Sequence, residues 1–270
     1  MKIYIALSVT AEIEKRLSNL RILESYFYIK NRRNIEKKEP VIDWFIDSGA
    51  YSSFTRNENI DIEAYAKFIK EHYDLIDVYA NLDAIGNPQQ TQKNQEWLES
   101  QGLNPLPVFH YGEPIEYLKS MLIKYDYIAL GGMVPISTEN LQNWLDFLWE
   151  KYLTNQDGSA KIKIHGFGMT TIFLMERYPW YSVDSTSPIL GAAYGRIYTP
   201  QGEIDISRKS GKIPMATIRF FEQEFPQWNL ELLKMKSSER TIYNIQYMQW
   251  LEDKLSQGIP KFINYQKRLF

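Results

Sequence analysis

A short apolar or β-branched run recurs along this chain, and a longer stretch with helical spacing separates each run from the next. The runs are KIYIAL (2–7), WFIDSG (44–49), DVYANLD (77–83), PLPVFH (105–110), YIALGG (127–132), KIHGFG (163–168) and WYSVDST (180–186). Between them, IDIEAYAKFIKEHY (60–73) puts Ile60, Tyr65, Phe68, Ile69 and His72 near one face. PQQTQKNQEWLESQG (88–102), EPIEYLKSMLIKY (113–125), TENLQNWLDFLWEKYL (138–153) and TTIFLMERYP (170–179) follow. Strands alternating with helices are joined as βαβ units and form a parallel sheet buried on both faces, which is why the strand runs are nearly all apolar. With no linker, repeat or low-complexity segment between the units, the pattern predicts a closed (β/α)8 barrel of the TIM type. A doubly wound open sheet is the runner-up.

The pattern changes after residue 195. GRIYTPQGEIDIS (195–207) reads as an inserted hairpin turning at Pro200-Gln201-Gly202, and the eighth strand is placed within 213–219. The segment 221–270 reads as a helical extension of the core 1–220, with TIYNIQYMQWLEDKLSQG ending at Gly258 and Pro260. The chain of 270 residues is treated as one domain, because a barrel takes roughly 250. MKIYIALSVT reads as a first strand, not a leader, and no run reaches the roughly 18 apolar residues a membrane span needs. A cytoplasmic setting is expected.

With no cysteine, the chain has no disulfide, thiolate nucleophile or Cys-based zinc site. His72, His110 and His165 lie far apart in sequence, so a His-rich metal site is not expected, and no cofactor is expected. A net charge of −2 argues against a uniformly basic surface but leaves room for local patches. Candidate patches are Arg32 to Lys38, and the group Lys234, Lys236, Arg240, Lys261, Lys267 and Arg268.

The chemistry collects at the strand ends. Asp47, Asp83, His110, Gly131-Gly132, His165 to Gly168, and Asp184 each close one of the runs. In a parallel barrel these ends share one rim, where active sites lie. Taken singly, each aspartate is read as a cap for the next helix: Asp47 for the segment from Ser48, Asp83 for the turn before Pro88. Together they read as an enzyme that uses carboxylates without a metal.

DSGAY (47–51), NLDAIGNPQQT (81–91), PVFHYGE (107–113), ALGGMV (129–134), HGFGMTT (165–171) and SVDSTSPILGAAYGRIYT (182–199) resemble, in order and rough spacing, the tRNA-guanine transglycosylase superfamily. The resemblance covers about residues 40–207. Short length, no cysteine and the histidine in PVFHYGE make the chain more similar to the phage and bacterial DNA transglycosylases that insert 7-deazaguanine bases. The resemblance implies that Asp184 is the nucleophile attacking C1′ of the target nucleoside, and that Asp47 is the general acid/base. It implies that Asp83 accepts hydrogen bonds from N1–H and the 2-amino group of a guanine-like base, two adjacent donors that suit one carboxylate. Gly131 and Gly132 match glycines whose amides approach the base, and Gly168 falls with them among the substrate-binding residues. Tyr51 matches an aromatic that stacks on the base; a core aromatic is the alternative. The implied partners are DNA, with tRNA as the alternative, and a free 7-deazaguanine such as preQ0.

The departures from that family are specific. His110 stands where the tRNA enzymes carry glutamine; it is read as bonding the O6 side of the base or as a strand-end histidine satisfied by backbone. SPILGAAYGR replaces their arginine-bearing segment, leaving Arg196 as a candidate phosphate contact, and their zinc subdomain is missing. His165 is read as structural. The segment 16–39 mixes Tyr26, Phe27 and Tyr28 with Lys30, Arg32 and Arg33, which suits a nucleic-acid strand. A barrel helix with its aromatic face on the core explains the same pattern. A water-using barrel glycosidase or nucleoside hydrolase built on Asp184 and Asp47, and a non-catalytic base binder, are further readings. Oligomeric state is not legible.

Overall fold

A computed structural model describes residues 1–207, 213–257 and Phe262. Eight strands form one sheet: β1 (Lys2–Ala6), β2 (Leu20–Ser25), β3 (Val41–Asp47), β4 (Val78–Tyr79), β5 (Val108–His110), β6 (Tyr127–Gly131), β7 (Lys163–Gly166) and β8 (Ser182–Ser185). Their order is β4-β3-β2-β1-β8-β7-β6-β5, and every ladder is parallel. β1 pairs with β8 from Lys2↔Ser182 to Ile5↔Ser185, so the sheet curls until its first and eighth strands meet. A doubly wound sheet reverses direction at a switch point; this one winds in a single sense. Between β4 and β5 lies one isolated bridge, Ala80↔Leu106, in place of a ladder. There Leu106 N donates to Tyr79 O at 2.8 Å and Asn81 N to Leu106 O at 2.9 Å. The expected fold thus appears as an eight-stranded, curled parallel sheet flanked by helices, without a continuous ladder at that seam.

Two corrections concern strands. The missing strand is β2, inside the segment 16–39 that reads as a helix or a nucleic-acid contact, and not within 213–219. Residues there enter the helix Met215–Glu224, which also straddles the expected boundary at 220. LRILES conceals its strand because Arg21 and Glu24 interrupt the apolar run. Both charges are matched from elsewhere. Arg21 on the inner face donates to Glu252 at 2.8 Å and Asp43 at 3.1 Å. Glu24 on the outer face accepts from Ser8 at 2.5 Å and Arg32 at 2.7 Å.

Period-two alternation sorts the strands into two cores. Tyr4, Leu23, Phe45, Ala80, Leu106, Val108 and Ala129 fill the concave side of the sheet, while a larger cluster packs between the sheet and the helices. Asp43 and Asp47 flank Phe45 at two-residue spacing and so share its inner face. The hairpin is present as β9 (Arg196–Thr199) and β10 (Gly202–Asp205). The helix Ser237–Ser256 seats on it through buried Asn244, which donates to Pro188 O and Arg196 O and accepts from Tyr198 N. Arg240, placed by sequence in a basic patch, is buried and donates to Ala192 O and Leu233 O instead. Glu252 on the same helix reaches the N-terminal end of the sheet, accepting from Ile3 N at 2.7 Å. Gly258, Pro260, Lys261, Lys267 and Arg268 lie outside the described residues. Among those described, no helix is long and apolar enough to cross a membrane.

Candidate active site

Asp47 closes β3 on the inner face. The chain turns immediately after it at Gly49, whose φ of +85° falls in the left-handed region. A Cβ there would lie 2.4 Å from Phe27 Cβ, so the turn needs glycine for both conformation and space. Gly49 N donates back to Asp47 Oδ2 at 3.0 Å. The carboxylate therefore braces a tight turn and caps no helix. Ser48, fully buried, donates to Asp83 Oδ1 at 3.1 Å and so ties the ends of β3 and β4 together. Asn87, not Asp83, caps the helix Pro88–Ser100.

His110 closes β5 and joins this pair. Its Nε2 lies 2.7 Å from Asp83 Oδ2, and its Nδ1 lies 3.0 Å from Glu113 Oε1. Glu113 also accepts from the His110 backbone N–H at 2.9 Å. Burial opposes charge on the imidazole, but hydrogen bonds to the two carboxylates outweigh it and push His110 up to about 10. With a carboxylate facing each ring nitrogen, the site favours the charged, doubly protonated form of the His110 imidazole. Glu113 is the residue that sequence reasoning left without a role. Its only signal is the His-x-x-Glu spacing, turned back on itself by Gly112 at φ +81°. Gly131 and Gly132 make room for this histidine: Cβ atoms there would come within 3.0 Å of His110 Cδ2 and 3.2 Å of His110 Cβ, respectively.

Asp184 is on β8. Gly168 N donates to its Oδ1 at 2.9 Å, from a loop that Gly168 turns at φ +63°. His165, on the neighbouring β7, is completely buried and packs against Tyr4, Phe45 and Phe167. Its Nδ1 is 2.8 Å from Ser182 Oγ; its Nε2 lies 3.3 Å from Asp184 Oδ1 but is misaligned for a hydrogen bond. Burial pushes this imidazole down, so it stands neutral beside Asp184. Ser25 adds a buried hydroxyl, without a well-aligned hydrogen-bond partner, at the end of β2 in register with Asp47.

Loss of hydration, then the charges of Asp83 and Asp184, push the Asp47 carboxyl up to about 7. Asp47 thus senses the other two carboxyl groups and holds a proton near neutrality. A carboxyl raised in this way keeps its proton in the folded chain while the unfolded chain releases it near 3.8. Stability therefore falls as pH rises from about 4 to 7. A side-chain amide mimics the protonated acid, so Asp47→Asn is expected to raise the melting temperature more at pH 8 than at pH 5. Equal shifts at both values would mean that Asp47 ionises freely in the folded protein.

The remaining candidates fall around this cluster. Tyr51 is 54 % exposed on the first turn after Asp47, so it is no core aromatic. Tyr26 and Phe27 are buried while Tyr28 is 60 % exposed, so the segment divides between its two readings. Lys30 Nζ sits 4.9 Å over the Phe27 ring, and Arg33 is exposed. Arg32 is committed to Glu24, and Arg196 pairs with Glu203 across the hairpin at 3.2 Å. Among the described residues, no group of three or more Asp, Glu, His or Cys side chains is arranged to hold a metal ion. A hollow of about 330 Å3 opens elsewhere, beside Ser8, Glu24, Arg32 and Trp44, and includes none of the three aspartates.

No model of a known protein family matches this chain, and no curated protein matches it.

Proposed function

We propose that the chain is a base-exchanging transglycosylase that replaces guanine in DNA with a 7-deazaguanine, through a covalent link between Asp184 and the nucleotide. The observation that carries this reading is the division of labour on one rim. Asp47 holds a proton near neutrality beside Asp184, and Asp83 is presented next to a cationic histidine. Pairs of titratable groups whose surroundings separate their roles mark acid/base sites.

In this reading Asp184 attacks C1′, the C1′–N9 bond breaks, and Asp47 supplies the proton with which guanine departs. The incoming base then returns a proton to Asp47 as its nitrogen attacks C1′ and the aspartyl ester breaks. The logic is that of a retaining glycosidase, with a second base in place of water. A carboxylate offers about four lone-pair sites, of which Asp83 uses two on Ser48 and His110. The others remain for the N1–H and 2-amino donors of a guanine-like base. The target nucleotide must leave its stack, most cheaply in single strands. The curled sheet is, in the same reading, a (β/α)8 barrel with its seam at the Ala80–Leu106 bridge, in a cytoplasmic protein.

DNA is favoured over tRNA because SPILGAAYGR stands where the tRNA enzymes carry their arginine-bearing segment. Incubation with labelled guanine and duplex DNA, single-stranded DNA or tRNA tests the reading directly. Label is expected in DNA. Label in tRNA alone would reassign the substrate, and release of free base without incorporation would favour a hydrolase.

A further inference from the structure

The helix Ala50–Arg56, directly after Asp47, buries one residue, Ala50. Its aromatic side chains face solvent: Tyr51 is 54 % exposed and Phe54 64 %. Tyr28, 60 % exposed, lies beside it, because the Arg56 guanidinium sits 5.3 Å from the Tyr28 ring centre and 5.7 Å from that of Phe27. Lys30 Nζ also sits over the Phe27 ring, 4.9 Å from its centre. Among the described residues, neither Lys30 nor Arg56 is paired with a carboxylate. Phe27 also packs against Gly49, in the turn that presents Asp47, so this surface adjoins the rim of the site.

We infer that Tyr28, Phe54, Lys30 and Arg56 form a platform for single-stranded nucleic acid, along which the strand runs as its target base enters the site. Three exposed rings on a short helix and its neighbouring turn leave apolar surface uncovered, and a soluble chain keeps such surface when something binds there. Charge selects the occupant. Cations already held over ring faces, and unmatched by acids, suit a ligand of flat bases joined by phosphates. An acid-poor apolar patch on a second protein would leave both charges uncompensated.

The inference deepens the exchange reading and rests on it for the identity of the base, so the experiment separates the two. Fluorescence anisotropy with labelled, guanine-containing 20-mers of single-stranded DNA and of RNA measures strand binding. Calorimetry with free guanine measures the pocket. The double variant Tyr28→Ala/Phe54→Ala, checked for folding by circular dichroism, is expected to weaken the tighter-binding strand by about tenfold or more. Guanine binding is expected to stay unchanged. Lys30→Gln/Arg56→Gln is expected to reduce the slope of log K against log salt by about 1.4, the value for two lost phosphate contacts. The platform is overturned if wild type binds neither strand, or if the folded aromatic variant binds as tightly as wild type. It is also overturned if sedimentation shows a dimer that this variant dissolves while strand binding persists, because the patch would then serve a second copy. Strand binding that depends on the platform, without any guanine binding, keeps the platform and removes the exchange reading.

Discussion

Replacing Asp184 with asparagine is expected to reduce base exchange by on the order of 10^4-fold and to abolish any denaturation-resistant link between protein and nucleic acid. The substitution is close to isosteric, and the side-chain oxygen that accepts from Gly168 N–H is retained. Loss of activity would therefore report lost nucleophilicity and not a collapsed site. Asp47→Asn provides the contrast. It leaves the proposed nucleophile in place and removes the proposed proton donor, so link formation should slow without disappearing, and its dependence on pH near 7 should vanish. Gel electrophoresis after denaturation, with labelled oligonucleotide, reads both variants. A link that survives in Asp184→Asn and is lost in Asp47→Asn would exchange the two roles.

These positions were legible in sequence because a buried parallel strand must be nearly all apolar, so a polar residue at its end stands out. In the structure Asp47 lies two residues beyond Phe45, and Gly131 two beyond Ala129, so both continue the inner face of their strands. β2 was illegible for the opposite reason. Arg21 is tolerated on the inner face only because Glu252, 231 residues away, and Asp43 meet it there. No local pattern announces that pairing. The same holds for Glu24, which is buried because Arg32 closes over it, so a residue that reads as a phosphate contact serves an ion pair instead. The helix after Asp47 is a third case. The sequence leaves Tyr51 as a stacking ring or a core aromatic, and its exposure, with that of Phe54, removes the core reading. Such violations of local rules concentrate where a surface is kept for binding.

His110 is where the site and the stability of the fold meet most directly. Its side chain is 7 % exposed, and those of its partners Asp83 and Glu113 are 11 % and 6 % exposed. Removing the cation leaves two buried carboxylates facing one another, with Asp47 and Asp184 on the same rim. Breaking a buried pair from one side costs about 3–5 kcal/mol. For a chain of this length His110→Ala is thus expected to lower the melting temperature by on the order of 10 °C. The pH dependence identifies the cause. The folded chain holds its His110 proton up to about 10, whereas the unfolded chain releases it near 6.5. This stabilisation is complete below about 6.5 and is lost as pH rises toward 10. The Asp47 contribution changes below about 7, so the two windows are almost wholly separate. His110→Gln keeps a hydrogen-bond donor but carries no charge. Its melting temperature should lie below that of wild type at pH 7, and the two curves should converge as pH approaches 10. Parallel curves across that range would show that His110 is neutral in the folded protein and that Asp83 has no cation at its side.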